Sequence, residues 1–442
     1  MENVDSPDVV KTLENLLKII PKLTFIKKIN RLFQYFDEPQ FYQYSSDIYI
    51  DPLDSDGVIK EKWKAGGSSI FSEKLAFLKC LGESIERYSC MHYKNSDFIF
   101  DTYQHLNLKA VNPSRFSKFS KKQKSQPHFR TFNYNEKTPF AWIKAKSLFE
   151  DAEWLVPAQL VYFNYKLTTE NERLIDIPIS TGAAFSNTFK SALLYGLFEL
   201  VERDSFAIMY MNRITCPKVD LTAIDDDRIK HLLEIALQYR LEINMIDITT
   251  DLGIPTFAAV VINRTGTGPA VQTGIKTHLN PIEAMLGAFH ESLQTRCWMR
   301  RIYENERSKY SHIHPNEIDS FEKRGVFWYQ KKMIKYLNFW INQPVTPLNK
   351  AYQIHWNSTH EMLRQLKRTF KQNNIYAYYV DLTIPSLVKS GCKVVKVISP
   401  DLQPHFFNEK YKLLGGDRLL NVPKKLGFNQ TMPFNKIPHP FL

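Results

Sequence analysis

Residues Gly82-Glu83-Ser84-Ile85-Glu86-Arg87-Tyr88 place two carboxylates three positions apart, inside a stretch from Phe71 to Cys90 whose apolar residues recur at helical spacing. Ala76, Phe77, Cys80, Leu81, Ile85 and Tyr88 hold that period, which predicts a long buried helix, entered through a turn at Ala65, Gly66, Gly67, Ser68 and Ser69. Residues three apart share a helical face, so Glu83 and Glu86 point the same way. The pattern returns twice, as Glu199 and Glu202 followed by Arg203, and as Glu291 and Gln294 followed by Arg296. A single pair of this kind is ordinarily a solvent-exposed ion pair worth about a few tenths of a kcal/mol. Three pairs, each in an otherwise apolar helix, favour helices that present oxygen ligands from within a core.

Carboxylates gathered in this way repel one another and are costly to desolvate, so they call for cations. Hard oxygen ligands suit Mg2+, which keeps some of its waters and is commonly shared with substrate phosphates. The neighbouring arginines have the planar fork that matches phosphate oxygens. These residue types indicate a nucleotide-handling site, although spacing alone does not separate ATP from another polyphosphate. The chain has no GxxxxGK[ST] loop, no dinucleotide fingerprint and no kinase HRD and DFG pair, so an ATP site here is of an unusual kind.

The rest of the composition narrows the classes. The 442 residues allow one large domain or a few average ones, and a 43% hydrophobic share supports a sizeable core and excludes disorder throughout. A formal charge of +12 raises nucleic acid as a partner. Its basic residues are scattered, apart from Lys118, Lys121, Lys122 and Lys124 in a stretch that reads as a solvated loop, and no zinc-finger, RNA-reading or basic-helix pattern is present. Cys80, Cys90, Cys216, Cys297 and Cys392 are odd in number with no CxxC pair, which predicts free thiols. Glu2 and Asp5 argue against a secretory signal, and no run approaches the roughly 20 apolar residues that span a bilayer. A cytoplasmic protein without membrane insertion is expected.

Along the chain, Val9, Leu13, Leu16, Leu17 and Ile20 have helical spacing, and Phe33, Phe36, Phe41 and Tyr42 form an aromatic-rich segment. Gly182 and Ser186 precede a helix through Ala192, Leu193, Leu197, Leu200 and Val201, and Gly266, Gly268 and Gly274 lead to another through Ala284, Leu286, Ala288 and Leu293. Residues 241–248, 257–263, 376–381 and 393–398 read as strands, with parallel pairing left open. Residues 118–132 and 401–412 read as loops. From Asn421 onward, Pro423, Pro433, Pro438 and Pro440 predict an extended tail rather than a helix.

At these motifs the chain resembles the YcaO family, over roughly residues 60–442. Gly82 to Tyr88 resembles that family's first acidic helix, behind Gly66 and Gly67. Ser180-Thr181-Gly182-Ala183-Ala184, with Ser186 and Asn187, resembles its turn, and Glu199-Leu200-Val201-Glu202-Arg203-Asp204 its second acidic helix. Glu291-Ser292-Leu293-Gln294-Thr295-Arg296 is the third match. Val156-Pro157-Ala158-Gln159-Leu160-Val161-Tyr162 resembles a segment of the azoline-forming branch, and Val380 to Thr383 and Val394 to Val397 resemble later motifs. Lys396 stands where the family often has Arg, keeping the charge without the fork. Pro438-His439-Pro440-Phe441-Leu442 resembles the branch's PxPxP ending, with Leu442 in place of the last Pro.

The resemblance implies an α+β fold of YcaO type, with mixed strands and buried helices around an ATP/Mg site, and a division into a lead-in at 1–60 and a catalytic domain at 61–442. It implies Mg2+ at Glu83, Glu86, Glu199 and Glu202. It places Glu291, Gln294, Ser186, Asn187, Arg203 and Lys396 at the nucleotide, and gives His439 or the carboxylate of Leu442 a part in proton transfer. The implied activity is ATP-dependent cyclodehydration of Cys, Ser or Thr in a ribosomal precursor peptide to thiazolines or oxazolines, as in bacteriocin biosynthesis. The implied partners are the precursor peptide, a separate E1-like leader-binding protein and an FMN-dependent azoline dehydrogenase in the same complex. Thioamide or amidine formation, a non-catalytic docking role and nucleic-acid binding are the competing readings.

Overall fold

The computed structural model describes residues 7–50, 61–106, 109–310, 313–352, 356, 358–428 and 433–442, and side chains from residue 10 onward. Glu2 and Asp5, and the side chain of Val9, lie outside the described residues. The chain divides into two compact units, one of Met1–Phe33, Tyr42–Leu200 and Ser358–Leu402, the other of Gln34–Phe41, Val201–Asn357 and Gln403–Leu442.

In the first unit, strands Ile26–Leu32, Tyr42–Ile50 and Glu61–Ser69 form an antiparallel sheet, which therefore runs across residue 60. Helix Glu73–Met91 packs on it. Ser72 starts this helix by accepting the Leu75 N–H, and Leu75, Ala76, Cys80, Leu81 and Ile85 form its buried face. Ala65 to Ser69, expected as a turn, is instead the end of the third strand, with Gly66 opposite Ser45 and Gly67 opposite Tyr44. The small residues serve close packing: a Cβ on Gly67 would fall 2.1 Å from the Cys80 nitrogen and 2.4 Å from the Ala76 oxygen.

A second, wholly antiparallel sheet in this unit runs in the order Ile99–Thr102, Pro139–Ser147, Tyr378–Asp381, Lys393–Ile398, Ala183–Ser186, with Glu153–Pro157 also paired to Pro139–Ser147. Trp142, Val156, Tyr378 and Val394 join Leu81 and Ile85 in one buried cluster. Burial of such side chains contributes about 1.5–3 kcal/mol each. The lysine run is not simply a loop, because Ser120 and Gln123 form a capping box around the short helix Lys121–Lys124.

The second unit centres on a sheet ordered Val271–Thr277, Thr256–Asn263, Leu241–Asp247, Lys218–Val219, Val345–Thr346. All eight residues of Thr256–Asn263 are buried, and only the last two strands pair in parallel. Helix Pro281–Gln294, started by Asn280 and Pro281, packs on Val271–Thr277 and Thr256–Asn263. Gly266 and Gly268 do form a turn, but Gly274 lies within the strand, where a Cβ would meet the Ala288 oxygen at 2.1 Å. Helix Phe189–Met211 begins in the first unit, with Thr188 accepting the Ser191 N–H, and passes into the second at Val201.

One expectation fails at the prolines. A helix, Asp417–Lys425, runs through Asn421 and contains Pro423. Proline at that position leaves the carbonyl of Leu419, four residues back, without its helical donor. The buried Asn212 side chain supplies one, its Nδ2 lying 3.0 Å from the Leu419 oxygen. The five cysteines are free and buried, and no helix among the described residues is long and apolar enough to cross a membrane.

Candidate functional site

Glu61–Ser69, Ala183–Ser186 and Val271–Thr277 are each the last strand of their sheet, so each has backbone N–H groups with no neighbouring strand to take them. The repeated acids take them. On the helix that follows each strand, the first acid accepts from that strand or the residue leading into it: Glu83 from Gly66 at 2.8 Å, Glu199 from Gly182 at 2.9 Å, and Glu291 from Ile275 at 2.7 Å. The second acid reaches a later strand, Glu86 accepting from Phe185 at 3.2 Å and Glu202 from Thr277 at 3.1 Å. The three sequence motifs are thus three copies of one device, a strand edge tied to the next helix by carboxylate side chains.

In the first unit, Glu83 also receives Arg87, with contacts of 2.7 Å from Nε and 2.6 Å from Nη2. Glu86 keeps some accessible surface. Burial and the charges of Glu199 and Glu83 push its carboxyl up to about 8, against the pull of Arg87 and the Phe185 N–H. Lys396 is buried, and its Nζ donates to the carbonyls of Ile179 at 2.9 Å and Thr181 at 2.6 Å, just ahead of Gly182. Burial lowers its pKa, while Cys90, Glu199 and Glu86 pull it the other way. Ser186 Oγ donates to Asn187 Oδ1 at 3.3 Å, at the junction of strand and helix.

In the second unit, Glu202 is 1% exposed and meets Arg203 at 2.7 Å and Lys276 at 3.6 Å. Burial and the Glu202 charge push Glu291 up to about 7, opposed by Arg203 and Lys276. Gln294 closes the same helix. Arg296, the arginine of the third motif, is buried and bonded to Glu38 through Nε at 2.8 Å, which commits it to the interior rather than to a phosphate. Lys276 was not singled out from the sequence, although its signal was there: it is the one charged residue in the strand Val271–Thr277, whose other residues are all buried.

The segment after residue 432 is placed within this unit. Phe441 forms a parallel bridge to Thr273, and its ring lies 4.5 Å from the guanidinium carbon of Arg203. Leu442 packs against the cluster of Met299, Ile302 and Val326. His439 is buried, with Nε2 2.9 Å from the Phe406 carbonyl. Burial, Arg324 and His405 hold it well below the usual histidine range, so the ring is neutral.

Among the described residues, no group of three or more His, Cys, Asp or Glu is drawn close enough to hold a metal by itself. The donor set still fits Mg2+, which uses one or two carboxylates together with water and phosphate oxygens. Two carboxyls raised by burial and by neighbouring acids are groups that a cation would return to the charged form.

Three comparisons place the chain. A protein of Methanothermobacter thermautotrophicus (strain Delta H), described only as uncharacterized, is 28% identical over 275 residues, covering 60% of this chain and 66% of its own length. A heterocyclase in complex with substrate and cofactor has the same fold, with a TM-score of 0.79 at 23% identity over 98% of this chain and 57% of its own. YcaO from Methanopyrus kandleri, bound with AMPPCP and Mg2+, has a TM-score of 0.62 at 15% identity, covering 89% of this chain and 91% of its own. The chain spans less than two thirds of the first two proteins. The profile of the YcaO cyclodehydratases, described as binding ATP and Mg2+, matches residues 70–403, and on that match over most of its length the chain belongs to the YcaO family.

Proposed function

We propose that this chain catalyses ATP-dependent cyclodehydration of Cys, Ser or Thr residues in a ribosomal precursor peptide, giving thiazolines or oxazolines. The observation that carries the reading is the thrice-repeated acid device, with Glu86 and Glu291 each raised by burial and, after it, by a neighbouring carboxylate. In this reading Glu83, Glu86, Glu199 and Glu202 hold Mg2+, and Glu291, Gln294, Ser186 and Asn187 line the nucleotide. When bound, Mg2+ offsets the negative charge that gathers on phosphoryl oxygens during transfer.

The peptide chemistry is a nucleophilic attack by the side-chain oxygen or sulfur on the preceding carbonyl carbon. That carbonyl oxygen takes the γ-phosphoryl group of ATP and departs as phosphate, leaving the ring and ADP, with one water mass lost from the peptide. Arg203, held by Glu202 and packed on Phe441, presents fixed positive charge on the Glu202 side. Lys396 supports the turn that delivers the Gly182 N–H to Glu199, and in this reading its charge also favours the anionic nucleotide. His439, neutral and bonded to Phe406, seats its segment rather than moving protons.

Of the partners, the precursor peptide and an E1-like protein that binds its leader are required by this reading. An FMN-dependent azoline dehydrogenase acts downstream of it, and all three work in the cytoplasm. The test is the mass of a Cys-, Ser- and Thr-containing precursor incubated with the chain, ATP, Mg2+ and the leader-binding partner. Loss of one water mass per ring, slowed about 100-fold or more in Glu202→Gln, supports the reading. An unchanged peptide mass, with leader engagement and nucleotide binding both confirmed, rejects it.

A further inference from the structure

In the first unit, the sheet that ends in Ala183–Ser186 ends on its other side in Ile99–Thr102, a strand paired on one side only, with Pro139–Ser147. In an antiparallel pair, opposite residues alternate between exchanging both backbone bonds and exchanging none. Ala141, opposite Phe100, gives its N–H to Glu172 at 3.4 Å, and Pro139, opposite Thr102, has no N–H. Phe100 and Thr102 therefore turn their backbone groups away from the sheet. Thr102 is satisfied locally, its N–H by Asp101 at 2.7 Å and its carbonyl by the His105 N–H at 3.2 Å. Phe100 is left presenting an N–H and a carbonyl at the edge, beside apolar side chains that are open to solvent: Ile99 is 37% exposed and Phe100 46%.

A cleft of about 720 Å3 opens where this strand ends, with Thr102 common to both. Its walls include Asn135, Lys137, Thr138, Asn171 and Arg173, two cations among amides and hydroxyls, and no acid lines it. Among the described residues neither cation meets a carboxylate at ion-pair distance. Both cations sit on fixed backbone. Thr138 Oγ1 accepts the Asn135 N–H at 3.0 Å and Asn135 Oδ1 the Lys137 N–H at 2.9 Å, which holds the turn that carries Lys137. The buried Gln159 spans the loop that carries Arg173, donating to the Arg173 carbonyl at 3.0 Å and accepting the Ile175 N–H at 2.7 Å. Glu172, also buried, anchors the same loop by accepting from Tyr165, Thr168 and Ala141. Gln159 belongs to the segment Val156 to Tyr162, and pinning this loop is the task of its side chain.

We infer that the open edge at Phe100 and the cationic cleft at its end form one docking site for an extended, acidic segment of the precursor peptide. The peptide pairs with Phe100 as an added strand, lays apolar side chains on Ile99 and Phe100, and gives a carboxylate to Lys137 and Arg173. Main-chain pairing at a sheet edge selects an extended chain over a compact anion, and alternate side chains of such a chain reach the neighbouring pocket. Two cations in a lining without acids select a carboxylate on that side chain. The assignment to the precursor rests on the function proposed above, whereas binding of an acidic extended peptide does not.

The experiment separates the two. The full chain is titrated, without ATP, against a fluorescein-labelled synthetic peptide of alternating valine and threonine that ends in two aspartates, and anisotropy is read. Saturable binding is expected, about 10-fold weaker for a twin peptide with asparagines and about 10-fold weaker in Lys137→Gln. Phe100→Pro removes the outward N–H and leaves the pairing with Pro139–Ser147 in place, so it should weaken both peptides alike. Equal binding of the two peptides, or parent-like affinity in either variant, overturns the site. Where Phe100→Pro does not fold, Lys137→Gln decides. With the precursor itself, KM for ring formation is expected to rise about 10-fold in Lys137→Gln. An unchanged KM beside the expected peptide result overturns the assignment to the precursor and gives the site to an acidic segment of another protein. Peptide binding with no ring formation by the parent chain removes the proposed function, and the precursor with it, while the site for an acidic peptide stands.

Discussion

The backbone N–H of Gly182 donates to Glu199 Oε2 at 2.9 Å across 17 residues, the same interval that separates Gly66 from its acceptor Glu83. Gly182 has a φ of +85°, and a Cβ there would fall 2.1 Å from the Val397 oxygen. Both the turn and the close approach thus require glycine. Gly182→Ala is expected to destabilise the protein by about 2 kcal/mol or more, read as a lower urea midpoint. A midpoint equal to that of the parent would show that this contact does not hold the turn.

Glu86 gives a pH prediction. Its ordinary value is 4.5 and its folded value is about 8, so the folded chain binds the proton more tightly than the unfolded chain. The sign follows: with the folded pKa raised, stability falls as pH rises from about 4.5 toward about 8. Glu86→Gln retains an acceptor for the Phe185 N–H and removes the charge. In metal-free buffer its melting temperature should exceed the parent's at pH 7.5, with the gap closing near pH 4.5. Added Mg2+ with ATP should stabilise the parent more than the variant. A gap independent of pH would sink this assignment.

Lys396 yields a test of support. Lys396→Met leaves the carbonyls of Ile179 and Thr181 without their shared donor in a buried place. A loss of about 2–3 kcal/mol is expected from chemical denaturation. A loss below about 0.5 kcal/mol would mean that the turn stands without it.

Asn212 and Pro423 should be coupled. Asn212→Ala strands the Leu419 carbonyl and is expected to cost about 1–2 kcal/mol. Pro423→Ala returns a helical N–H to that carbonyl, so the same Asn212→Ala change should cost markedly less in the Pro423→Ala background. A double-mutant cycle with no coupling energy would refute the compensation.

The same residues show what a sequence discloses. Helices Glu73–Met91 and Pro281–Gln294 and strand Leu241–Asp247 were legible because apolar spacing or β-branched runs report burial locally. Ala65 to Ser69 was misread because glycine and serine signal turns in isolation, and only the approach of Cys80 and Ala76 explains glycine inside a strand. The helix around Pro423 was hidden for a like reason, since its missing donor is replaced by a side chain more than 200 residues away. The acids of the candidate site were visible as a repeat. Their backbone donors were not, because which strands end a sheet is settled by tertiary pairing.

That pairing gives the acids a second consequence. Open strand edges recruit other chains, and proteins commonly guard them with charge or cover. Here Glu83, Glu199 and Glu291 occupy N–H donors at or beside three such edges. Replacing them with alanine would expose those donors as well as remove charge, so inactive alanine variants should self-associate. Glutamine, which keeps an acceptor oxygen, is the substitution that separates lost chemistry from aggregation.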